Sequence, residues 1–236
     1  MPGPASSLLI AAAAAVLAPL TTGPAEAPQV GAGWRVATLP GQTKPVTRFV
    51  AERVGDRPAL RLDAAESYGN LALDMPPGTE APRHLRWSWR VHVPNSGTDL
   101  RRRAGDDTAA KVCLSFDLPL EQVPLGERTL LRLYRAGAGQ QLPAATLCWV
   151  WGGPEARQAV IDNAYSRRVR YLVLRNQDDG TGRWHQESVD VAADFRRAFG
   201  DESPDLPPLL ALVVAADADN TRAQSVAHLA GLSFEP

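Results

Sequence analysis

Along most of the chain, apolar and polar residues alternate with a period of two, in short runs broken by Gly, Pro, Asn and Asp. That alternation belongs to a strand with one face on a core and one on solvent. In residues 84–93, Leu85, Trp87, Trp89 and Val91 interleave with Arg86, Ser88 and Arg90. In 110–116, Val112, Leu114 and Phe116 interleave with Lys111, Cys113 and Ser115. Further strands are predicted over 46–54, 58–64, 70–75, 145–151, 168–175, 184–191, 209–216 and 225–234. A helical period recurs only over 125–136 and over 192–199, the latter stopped by Gly200. About ten short strands with turn residues between them predict an all-β fold. The expected architecture is a two-sheet antiparallel β-sandwich, jelly-roll-like, with one or two short helices. No βαβ alternation suggests a parallel doubly wound sheet.

The N-terminus breaks the pattern. Residues 8–20 are apolar and Ala-rich, too short to span a bilayer and interrupted by Pro19. Ala25-Glu26-Ala27 then fits a small-x-small cleavage site. The reading is a signal peptide over 1–27 (without Lys or Arg in its first residues), a linker over 28–33 and a single domain over 34–236. No Cys follows the apolar run, so no lipoprotein anchor is indicated. An exported bacterial protein follows, periplasmic or secreted, without a membrane segment after cleavage and monomeric. A net charge of −1 lacks the basic footprint that nucleic-acid binding needs. The two cysteines, Cys113 and Cys148, have neither Cys-x-x-Cys spacing nor a neighbouring His, which excludes zinc and thioredoxin-like readings. Either a disulfide or two buried thiols fits.

Candidate chemistry concentrates around residues 84–117. If strands 84–93 and 110–116 pair, Arg86, Ser88 and Arg90 lie beside Lys111, Ser115 and Asp117, with Asp106 and Asp107 just before the second strand. One reading is an ion-pair network tying a loop to a sheet; the other is a groove for a polar ligand. Adjacent carboxylates on a strand point to opposite faces, so Asp106 and Asp107 do not suit glycosidase chemistry. Six tryptophans invite a sugar-stacking argument. Trp87 and Trp89 face away from the arginines, toward the core, while Trp149 and Trp151 share one strand face and join the candidate ligand set. That set is Arg86, Arg90, Asp106, Asp107, Lys111, Trp149 and Trp151. Asp217-Ala218-Asp219-Asn220-Thr221 resembles the start of a calcium loop but lacks its Gly and distal Glu, and a capped turn accounts for it. His185 and Glu187 share a strand face and could exchange protons, yet no G-x-S-x-G elbow or phosphate loop accompanies them. No catalytic residue, metal ligand or cofactor is assigned. The expected function is a non-catalytic binding module for a polar, glycan-like ligand in the cell envelope. A structural periplasmic protein and a polysaccharide-acting enzyme are the alternatives.

An ordered set of motifs adds a resemblance. They are Leu85-Arg86-Trp87-Ser88-Trp89-Arg90, Ala104-Gly105-Asp106-Asp107 with Ala109-Ala110-Lys111-Val112, and Leu147-Cys148-Trp149-Val150-Trp151. Arg168-Val169-Arg170, Trp184, Asp194-Phe195-Arg196-Arg197-Ala198-Phe199-Gly200 and Asp217-Ala218-Asp219-Asn220-Thr221 follow. In order and spacing they resemble DUF3047, a family of exported bacterial proteins of unknown function. The resemblance implies an export signal and one domain, and brings no activity. The chain departs from the family pattern at Lys111, where Arg is usual, and at Gly231, where an acidic residue is common. Were that carboxylate to join Asp217 and Asp219 at a metal, this member would lack it.

Overall fold

The computed structural model describes residues 33–39, 41–138 and 142–235. The signal peptide read over 1–27 and the linker before residue 33 lie outside them. Twelve strands form two sheets packed face to face. Sheet A contains β1 (Trp34–Ala37), β4 (Asn70–Asp74), β11 (Leu209–Ala215), β6 (Ala110–Phe116), β7 (Ala145–Trp151), β9 (Val169–Arg175) and β8 (Val160–Asp162), in that spatial order. Sheet B contains β10 (His185–Asp190), β5 (His84–Val93), β12 (Gln224–Glu235), β3 (Arg57–Ala65) and β2 (Arg48–Val54). The chain alternates between sheets from β4 to β6 and again from β9 to β12, which gives the jelly-roll-like path. All pairings are antiparallel except β7 with β9. The ten predicted strands form; β1 and β8 escape the reading because four and three residues carry too little periodicity. Two helices, α1 (Leu125–Ala138) and α2 (Val191–Phe199), interrupt the strands.

The inward faces carry the alternation's apolar half. Trp87 and Trp89 of β5 meet Trp149 and Trp151 of β7 across the sandwich, at ring-centroid distances of 6.0 and 5.8 Å. All four indoles are almost fully buried and set the thickness of the core. Helix α2 closes one end: the Asp190 side chain accepts from Ala193 N at 2.8 Å as its N-cap. Trp149 Nε1 donates to Asp194 Oδ2 at 2.8 Å, fixing the helix to the core.

The two outer faces differ. On sheet A, a second apolar cluster of Cys113, Cys148, Val150, Ile161 and Tyr171 lies on the outer face, with Leu100 of the loop before β6 packed into it. Strand β6 is therefore buried along its whole length, on both faces. Cys113 and Cys148 are opposite each other in the β6–β7 ladder and form a disulfide within this layer. The outer face of sheet B is more open among the described residues: Arg86 is exposed, and Arg90 and His92 are partly so.

The pairing of 84–93 with 110–116 does not occur. β5 belongs to sheet B, between β10 and β12, and β6 belongs to sheet A. The candidate residues are thereby divided between opposite sides of the molecule.

Candidate functional site

One half of the charged constellation lies at the end of sheet A, and its members satisfy one another. Asp107 is fully buried; its Oδ2 accepts from Thr221 N and Thr221 Oγ1, both at 2.7 Å, and its Oδ1 from Asn220 Nδ2 at 3.0 Å. Asp217 Oδ1 accepts from Thr108 N at 2.7 Å and Thr108 Oγ1 at 2.9 Å. Its other oxygen pairs with the Lys111 ammonium, both groups buried. Burial alone would lower the Lys111 ammonium, but Asp217 beside it holds it above its usual range. These contacts tie the loop before β6 to the turn after β11, as an ion-pair network does. Asp106 and Asp219 are exceptions: Oδ1 of each is buried without a partner among the described residues. Asn163 Nδ2 donates to Asp106 Oδ2 at 2.5 Å. Burial pushes this carboxyl up to about 6, against the pull of Lys111.

The 217–221 loop is a capped turn. Among the described residues, no group of three or more His, Cys, Asp or Glu side chains is arranged to hold a metal ion. Gly231 is remote from this turn: at ~3.3 Å per residue it lies about 23 Å along β12 from Gln224. It adopts a φ of 64° at a bulge where Ala230 and Ser233 face Ser88 and Arg86. A β-carbon is strained there, which accounts for glycine.

The other half is the outer face of sheet B. Beside the β12 bulge is a cleft of about 870 Å³. Its polar side comprises Arg86, Ser88, Gln186, Ser188, Ser233 and Glu235; Trp34, Leu60, Leu71, Trp87 and Leu229 line it from the core side. Arg86 is oriented by Glu235 at 2.8 Å and donates from Nε to Ser188 Oγ at 3.2 Å. The Trp87 indole N–H is buried with no partner among the described residues. Arg57 at the start of β3 places its guanidinium 4.7 Å from the Trp184 ring centroid, just before β10. Two strands, β12 and β5, separate β3 from β10, so this cation–π contact reaches across the face.

Farther along the same face, Arg90, His228 and Arg61 are lateral neighbours on β5, β12 and β3. His92 occupies a bulge in β5 and meets His228 edge-on at 4.8 Å. His228 Nε2 is 2.5 Å from Glu52 Oε1, and Arg61 donates to Asp63 at 3.1 Å. Arg90 has no hydrogen bond or ion pair among the described residues. Burial lowers the His92 imidazole, and Arg90, His228 and Arg61 lower it further against Glu52.

Of the predicted set, Arg86 and Arg90 share the open face, and Asp106, Asp107 and Lys111 share the end of sheet A. Trp149 and Trp151 are withdrawn from it: at 0% and 1% exposure they are core, because β7 lies in the middle of sheet A with its indoles inward. His185 and Glu187 are occupied as well. His185 Nε2 is 3.1 Å from the Gly180 carbonyl, and Glu187 Oε1 accepts from Trp89 and Arg175 at 2.9 and 2.7 Å. Sequence reasoning missed Gln186, Ser188, Ser233 and Glu235, although their alternation with inward residues places them outward. It also missed His92, which continues the outward series of Arg86, Ser88 and Arg90.

A family model described as "Protein of unknown function (DUF3047)" matches residues 32–233. No curated protein matches the chain. Among solved structures it is similar to a family 11 carbohydrate-binding module from Clostridium thermocellum, in complex with a beta-1,3-1,4-mixed-linked tetrasaccharide, at 9% identity over 87% of this chain and 89% of that chain, TM-score 0.35. It is similar to endoglucanase 3 of family GH12 from Trichoderma harzianum, at 8% identity over 87% and 98% of the two chains, TM-score 0.42. A third similarity is to endoglucanase cel12A from Rhodothermus marinus, at 13% identity over 86% and 95%, TM-score 0.41.

Proposed function

The chain belongs to the DUF3047 family, whose description assigns no activity, and from that premise we propose that it is an exported, non-catalytic module that binds a glycan on the outer face of sheet B. The cleft beside the β12 bulge carries the proposal. It joins the polar side chains of Arg86, Ser88, Gln186 and Ser188, of which Arg86 and Ser188 are hydrogen-bonded to each other, to an apolar wall that includes Trp34, Pro58 and Leu232. A sugar ring has matching parts, a rim of hydroxyls and apolar C–H faces. Sites for small polar ligands pair a few placed polar groups with such walls. Trp184, on the same face, offers an aromatic surface that Arg57 now covers. Export is supported by the Cys113–Cys148 disulfide, since such bonds persist in oxidising compartments.

The test is thermal unfolding of the protein against a panel of neutral and acidic cell-envelope and plant glycans. A binding glycan at about 100 times its Kd stabilises by about 2.7 kcal/mol and raises Tm accordingly. Trp184→Ala and Arg86→Gln should each abolish most of that shift while leaving the unliganded Tm nearly unchanged. If no glycan in the panel moves Tm, the proposal fails.

A further inference from the structure

We propose that the glycan recognised on sheet B is acidic, and that Arg90 with His92 receives its carboxylate or sulfate group; this rests on the binding face assigned above. Arg61 and His228 each have an acidic partner, Asp63 and Glu52. Arg90 has none among the described residues, and its Nε is buried and unpartnered, as are His92 Nε2 and His228 Nδ1. His228 is only 4% exposed, so it lies within the cluster. Cationic and imidazole groups gathered beyond the two carboxylates that face them are costly to desolvate. An oxyanion relieves that cost, and a planar guanidinium suits the two oxygens of a carboxylate or sulfate. The site shares the outer face of sheet B with the cleft. Arg86, Ser88, Arg90 and His92 point outward from one strand, and four residues of strand place Arg90 about 13 Å from Arg86. A chain of sugars in the cleft and along β5 therefore carries its substituents past Arg90.

Protons should follow the anion. The groups facing His92 are Arg90 on its own strand, His228 on β12, Arg61 and its partner Asp63 on β3, and Glu52 on β2. A bound anion favours the imidazolium, so affinity should rise as pH falls from 7 to 5.

The experiment is calorimetric titration of the full chain with an oligogalacturonate, its methyl ester and a sulfated cello-oligosaccharide. Oligogalacturonate should bind at least about tenfold tighter than its ester, the scale of one charge-assisted contact. Arg90→Gln should erase that preference without lowering Tm, and His92→Asn should flatten the rise in affinity below pH 7. Tight binding of the sulfated oligomer instead, with the same Arg90 dependence, upholds the site and names sulfate as its anion. Equal binding of acid and ester, with weak binding of the sulfated oligomer, overturns the inference but leaves a glycan-binding face. Binding of none of the three while neutral glycans shift Tm does the same, and loss of all binding removes both.

Discussion

The two outer faces of this sandwich carry similar charged residues and treat them in opposite ways. Over sheet A, Asp107, Lys111 and Asp217 are buried and bonded to partners, beneath loops that also bury the disulfide. Over sheet B, Arg86 is exposed beside Glu235, Arg90 has no side-chain partner among the described residues, and a cleft lies beside the β12 bulge. What separates the two faces is thus whether the charged groups are buried and bonded to one another, not how many charges are present. A closed network has no valence left for a ligand.

The largest effect that could break this contrast is at the buried pair. Asp217→Asn leaves the Lys111 ammonium buried and uncompensated, which should cost about 3–5 kcal/mol in denaturant unfolding. A cost under about 1 kcal/mol would mean that the end of sheet A is as open as sheet B. Next is the disulfide. The double substitution Cys113→Ser with Cys148→Ser should lower stability by about 2–4 kcal/mol, measured the same way against the oxidised protein.

A smaller test uses pH, because the two faces should respond with opposite signs. The Asp106 carboxyl is pushed up to about 6 in the folded chain, against about 3.9 unfolded. The folded state then binds the proton more readily, so this group adds stability as pH falls through about 6, an increment complete below about 4. Between pH 7 and pH 5 it should contribute about 1 kcal/mol, the difference in pH dependence between the wild-type chain and Asp106→Asn. His92 is lowered instead, so its contribution is present above its unfolded value near 6.5 and is lost as pH falls below it. His92→Asn should remove that loss in the unliganded protein. Matching signs at the two positions would undo the comparison.

Much of this was legible in residue order. The alternation in β5 sends Leu85, Trp87 and Trp89 inward and Arg86, Ser88 and Arg90 outward, and the structure keeps that division. The same reasoning misjudged β6. Lys111, Cys113 and Ser115 alternate with apolar residues as if facing water, yet all are buried, with the loop before β6 and the turn after β11 packed around this face. Trp149 and Trp151 gave no sign of which side of a sheet they faced, since β7 is apolar on both faces. The pairs Asp107–Thr221 and Lys111–Asp217 join residues more than a hundred positions apart, and nothing local to either partner specifies the other.

The amino-acid sequence by itself determined the ten longer strands, the two helices and the inward face of each half-buried strand, because those follow from steric period and local apolarity. Only the tertiary structure decided which strands are neighbours, that β5 and β6 lie in opposite sheets, and that one outer face is covered more fully than the other. Strand pairing and cover are non-local contacts whose energies depend on every segment at once. Whether a charged group is buried and bonded or left exposed was therefore decided by what came to lie over it.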